Sequence, residues 1–121
     1  GGEHEYTRFG FQQIIEKEAM DILQPDLRRC GGITEGRKIA ALAYSAGLPV
    51  IPHAYGVTHI HFALGTVNCP MIEYFPMPCW DSLPDVEVEP IFHGEPQPEN
   101  GVVRMTQEPG LGVSVNSKIF S

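Results

Sequence analysis

The chain has 121 residues, 42% hydrophobic and 19% charged, with a formal net charge of −7. One domain's worth of length and eight scattered Lys and Arg argue against nucleic acid or an anionic membrane surface as partner. No apolar run nears the ~18 residues of a spanning helix, and no basic-then-apolar leader opens the chain. Cys30, Cys69 and Cys79 lack C-x-x-C spacing; their odd count fits a reducing compartment, and the expected location is cytoplasmic.

Taken in chain order, Gly1 to Glu3 reads as the last turn of a strand. Thr7 can cap a helix whose apolar stripe is Phe11, Ile14, Ile15 and Ala19. Asp21 to Asp26 is a short strand closed by Pro25. Gly31-Gly32 supplies a turn, Thr34 caps a second helix with the stripe Ile39, Leu42, Ala43 and Ala46, and Gly47 is placed to stop it. Leu48 to Pro52 is apolar on both faces, as a buried parallel strand should be. A weaker helix from about Thr58 to Thr66 precedes a strand from Met71 to Phe75.

After Phe75 helical periodicity ends, and eight of the eleven prolines lie from Pro70 onward. The stretch from Glu95 to Gly101 is rich in turn residues and precedes Val102 to Met105. Gly110 to Asn116 reads as a final short strand. Such a tail has too few apolar residues for its own core and should wrap onto something else.

Polar residues therefore stand at successive strand ends: Glu3, Asp26, His53 and Glu73. In a βα repeat such side chains share one mouth, where these folds do chemistry. A slice of parallel sheet also leaves an edge open, so pairing with more protein, or self-association through that edge, is expected.

Gly2-Glu3-His4-Glu5-Tyr6-Thr7-Arg8, Gln24-Pro25-Asp26 with Cys30-Gly31-Gly32-Ile33-Thr34-Glu35, and Val50-Ile51-Pro52-His53 closely resemble the mandelate racemase branch of the enolase superfamily. The opening stretch is most similar to the L-rhamnonate dehydratase group of sugar-acid dehydratases. The tail from Gly94-Glu95-Pro96 to Pro109-Gly110-Leu111-Gly112-Val113 is similar too, so the resemblance covers nearly the whole chain. It implies an α/β fold, the C-terminal part of a (β/α)8 barrel plus an irregular tail with short strands. Residues 1–75 would run from the end of the fifth barrel strand through the eighth. Residues 76–121 would pack back toward a capping domain. A whole barrel takes about 250 residues, so the resemblance further implies an incomplete chain.

The same resemblance implies removal of a proton next to a carboxylate, aided by Mg²⁺, and loss of water from an aldonate-type acid to give a 2-keto-3-deoxy product. Glu3 would be a metal ligand, its two companions lying on absent strands. His53 would be the general base and Asp26 the group that orients it. His4 would contact substrate. Glu73 would hydrogen-bond the substrate carboxylate in an apolar setting supplied by Met71, Ile72 and Phe75. Implied partners are the sugar acid, the rest of the barrel and the capping domain, with a homo-oligomer when complete. A racemase or epimerase, or a non-catalytic half-barrel needing a complementary chain, are the alternatives. On the residues alone, Asp26 could equally be a turn residue after Pro25. His59 and His61, two apart on a helix, make a poor metal pair and read as packing or surface residues. Arg28 and Arg29 could meet an anionic substrate or face solvent.

Overall fold

In the computed structural model, which describes residues 1–75 and 91–120, the first apolar stripe forms α1 (Arg8–Glu16). Phe11 is buried and Ile14 and Ile15 pack against the core, but Ala19 lies past the helix and is exposed. Thr7 occupies the N-cap position without a side-chain cap bond. The first-turn donor is satisfied from a neighbouring helix instead: Glu35 accepts from the Arg8 backbone N–H (3.1 Å) and from the Arg8 guanidinium (2.8 and 3.0 Å). That backbone bond first, and then the Arg8 and Lys38 charges, outweigh desolvation and hold the Glu35 carboxyl at about 2.

Glu35 sits in α2 (Gly32–Ser45), which starts two residues before the expected Thr34 cap. Its N-cap is Gly31 at φ 110°, a left-handed position natural to glycine. Ile39, Ala40 and Ala43 face the core, whereas Ala46 is exposed. The stop at Gly47 forms as expected. Gly47 (φ 73°) donates to the Tyr44 carbonyl and Leu48 to that of Ala43, the paired bonds of a Schellman motif. The weaker third stripe becomes α3 (Val57–Leu64), with Val57, Ile60 and Phe62 buried.

The expected strands are thinner than the pattern implied. Leu23 and Val50 form an isolated parallel bridge, and no regular strand is assigned over Asp21–Asp26, Leu48–Pro52 or Met71–Phe75. Prolines at 25, 49 and 52 carry no N–H and cannot continue a ladder. The backbone nonetheless runs side by side. Gln24 N–H donates to Gly1 (2.8 Å), Ile51 to Leu23 (2.9 Å), His53 to Pro25 (3.0 Å) and Val50 to Asn68 (2.9 Å). With α2 linking the bridged segments, Phe11, Leu23, Leu27, Cys30, Ile39, Ala40, Ala43, Val50 and Phe62 make the core.

The chain divides into two compact units, Gly1–Tyr74 and Phe75–Ser121. The second holds β1 (Phe92–His93) paired antiparallel with β2 (Ser114–Val115), a Glu99–Val102 bridge closing a turn, and a 3-10 turn at Ser117–Phe120. Thus the expected strand over Gly110–Asn116 shrinks to two residues. Cys79 and the start of the tail lie outside the described residues. Among the described residues no helix is long and apolar enough to cross a membrane.

Candidate active site

Asp26 is where the site is built. Its carbonyl accepts from the N–H groups of Arg29 (2.9 Å) and Cys30 (2.8 Å), and its Oδ1 from the Arg28 N–H (2.8 Å), so it does close a turn after Pro25. It is also the partner expected for His53: Nδ1 lies 3.2 Å from Asp26 Oδ2. One side chain carries both roles because its two oxygens divide them. The His53 backbone bond to Pro25 sets the two residues side by side on neighbouring segments.

Asp26 is 2% exposed. Burial by itself would raise its carboxyl, but hydrogen bonds from the Arg28 side chain and backbone, and from His53, bring it down to about 2. The Arg28 guanidinium grips both oxygens (Nε to Oδ1 and Nη2 to Oδ2, each 3.2 Å). Arg28 is thereby bound to Asp26 while remaining exposed. Arg29 Nε stands 4.0 Å from Oδ2 and its Nη1 3.5 Å from His4 Nδ1, so this loop ties Asp26 to the first residues.

His4 is largely exposed, with Nε2 3.8 Å from Glu3 Oε1. The Glu3 carboxyl is lowered chiefly by its own backbone N–H, against desolvation, and further by the fields of His4 and His53. Among the described residues no group of three His, Cys, Asp or Glu side chains could hold a metal ion. An ionised, accessible Glu3 fits a hard divalent cation as a single oxygen ligand, and that is all this donor set offers.

Glu73 reaches the same neighbourhood in an unexpected way. Its Oε2 accepts from the Ala54 backbone N–H (2.7 Å), directly after His53. Ala54 is left-handed (φ 64°), a conformation costing an L-residue roughly 1–2 kcal/mol, so Glu73 braces the turn that presents His53. Of the three residues expected to give Glu73 an apolar setting, Ile72 is half-buried while Met71 and Phe75 are exposed.

His59 is neither surface nor simple packing. It is fully buried, with Nε2 3.4 Å from the Leu27 N–H and 3.7 Å from Asp26 Oδ1. The one signal available was its place on the apolar side of α3 beside Ile60. Cys30 is buried, with burial pushing its thiol up to about 11, and Cys69 is raised likewise, so neither is poised as a nucleophile.

Residues 1–119 match the sequence profile of the family described as enolase C-terminal domain-like. The chain is 40% identical over 118 residues to L-rhamnonate dehydratase of Saccharopolyspora erythraea, covering 98% of the chain and 30% of that protein. Among solved structures it is similar to L-rhamnonate dehydratase from Gibberella zeae (TM-score 0.78, 38% identity, 97% of this chain and 30% of that one). It is also similar to L-talarate dehydratase from Polaromonas sp. JS666 complexed with Mg and L-glucarate (TM-score 0.80, 30% identity, 98% and 30%). The chain thus spans about 30% of the length of these relatives.

Proposed function

The chain belongs to the enolase C-terminal domain-like family and has the fold of part of its (β/α)8 barrel, and from that premise we infer that the protein carrying it is a Mg²⁺-dependent sugar-acid dehydratase acting on an aldonate such as L-rhamnonate. The observation that carries this reading is the His53–Asp26 pair, an imidazole Nδ1 3.2 Å from a buried, ionised carboxylate.

Because Asp26 can only accept, the neutral His53 ring carries its proton on Nδ1, and Nε2 has the lone pair. Nε2 would take the proton next to the substrate carboxylate, and the imidazolium so formed would face Asp26, which stabilises its charge. His53 would then return that proton to the departing β-hydroxyl, releasing water and leaving an enol that tautomerises to the 2-keto-3-deoxy acid. Glu3 would be one ligand of the divalent cation, which when bound supplies positive charge to offset the negative charge developing at the substrate carboxylate. His4, exposed at the rim, would contact substrate hydroxyls, and Glu73 would hold the His53 turn and meet the substrate carboxylate. The remaining ligands and the substrate-selecting surface would come from the rest of the barrel and a capping domain, in a cytoplasmic homo-oligomer.

The test is incubation of the longer protein with Mg²⁺ and a panel of aldonates in D₂O. Formation of a 2-keto-3-deoxy acid, abolished by His53→Asn, is expected. Deuterium at C2 without loss of water would turn the reading to a racemase or epimerase. Neither product from a protein with its acids intact would sink it.

A further inference from the structure

The mechanism above makes no use of the one fully buried imidazole. His59 Nε2 lies 3.4 Å from the Leu27 N–H, and its Nδ1 lies 3.4 Å from Thr58 Oγ1. A backbone N–H can only donate, so Nε2 is the acceptor and the ring proton belongs on Nδ1, where the Thr58 hydroxyl can accept it. Burial lowers the imidazole to about 4 despite the nearby Asp26 charge, so the ring is neutral at neutral pH. The other charged or titratable groups around Asp26 include Arg28, Arg29 and the neutral thiol Cys30 of its own loop and His53 of the next segment. A neutral His59 leaves the Asp26 charge to them.

The bond to Leu27 matters because of which peptide it holds. The unit joining Asp26 to Leu27 has two polar groups. Its carbonyl is held by the Arg29 and Cys30 N–H groups, and its N–H by His59. Leu27 is buried in the core, so water is a poor substitute for that acceptor. We propose that His59 is a positioning residue whose Nε2 fixes the Asp26–Leu27 peptide plane, and with it the carboxylate orientation that turns Asp26 Oδ2 toward His53 Nδ1.

The inference rests on reading His53 and Asp26 as the working pair, and its test needs no turnover, so the two ideas fail separately. Nitrogen-resolved NMR of the full chain should find the wild-type His59 proton on Nδ1. His59→Phe should speed Leu27 amide exchange about tenfold and remove the downfield His53 Nδ1 proton signal. His59→Gln, whose side-chain oxygen can accept the same N–H, should restore both. A wild-type proton on Nε2 would overturn the proposal, even if His59→Phe does not fold. So would a folded His59→Phe that lowers Tm yet leaves both signals unchanged.

Discussion

The two compact units of this chain hold their backbones in different ways. Gly1–Tyr74 packs three helices around buried Phe11, Leu23, Ile39 and Val50. Among the described residues of Phe75–Ser121, Pro96 and Asn116 are the buried ones, and Asn116 is held by polar bonds: its N–H donates to Ile91 (2.9 Å) and its Oδ1 accepts from Lys118 (3.1 Å). The difference teaches where the proposed proton-transfer pair can be built. Asp26 and His53 stand at the ends of segments anchored in an apolar core, and backbone bonds between those segments, such as His53 N–H to Pro25 (3.0 Å), complete their 3.2 Å approach.

The largest expected effect would confine chemistry to the first unit. His53→Asn should lower kcat of the longer protein by about 10²–10⁴, while Val115→Ala in β2 leaves it unchanged. Comparable losses from both would break the contrast. Stability should divide the same way. Leu23→Ala is expected to cost about 2–5 kcal/mol in urea unfolding, whereas Val115→Ala, at a 55% exposed site, should stay within about 0.5 kcal/mol. Equal shifts would mean that the tail carries a core of its own.

Gly36→Ala tests how tightly the core grips the site. A Cβ there would collide with Leu27 Cδ2 and lie 3.2 Å from Phe62 Cε2. About 1–3 kcal/mol should be lost in urea unfolding, along with the His53 Nδ1 proton signal, because Leu27 adjoins Asp26. Loss of stability with that signal intact would show that the core and the pair are uncoupled.

The pH response should be the mildest and the most diagnostic. His59 is lowered from 6.5 to about 4, so the unfolded chain binds more protons between those values. Its contribution is full above 6.5 and lost as pH falls toward 4. Asp26 is lowered from 3.8 to about 2; its contribution is full above 3.8 and lost as pH falls toward 2. The protection of the Leu23 amide, its exchange relative to an unstructured amide at the same pH, should therefore fall in two steps on acidification. His59→Gln should remove the upper step, and exchange at Val115 should show neither. Two steps in that variant and in wild type alike would assign the upper limb elsewhere.

Much of this was legible residue by residue. The stripes through Phe11 and through Ile39 and Ala43 foretold α1 and α2, and Gly47 foretold where α2 stops, because periodicity and a left-handed stop are properties of contiguous chain. The prolines at 25, 49 and 52 were equally visible, although their effect in reducing the strands to one bridge follows only when the missing N–H groups are counted. The order of Asp26 and His53 at the ends of neighbouring segments also pointed to their pairing.

Other features needed distant residues to meet. Glu35 takes the place of the Thr7 cap across 27 positions, Glu73 braces Ala54 across 19, and His59 reaches Leu27 across 32. Sequence by itself determined which groups could ionise, donate or interrupt a ladder. Tertiary structure decided which of them share a hydrogen bond and which lose water, since that depends on how helices settle on the core. Asp26 shows the division plainly: its carboxylate is written in the chain, and its charge at low pH comes from neighbours that only folding assembles.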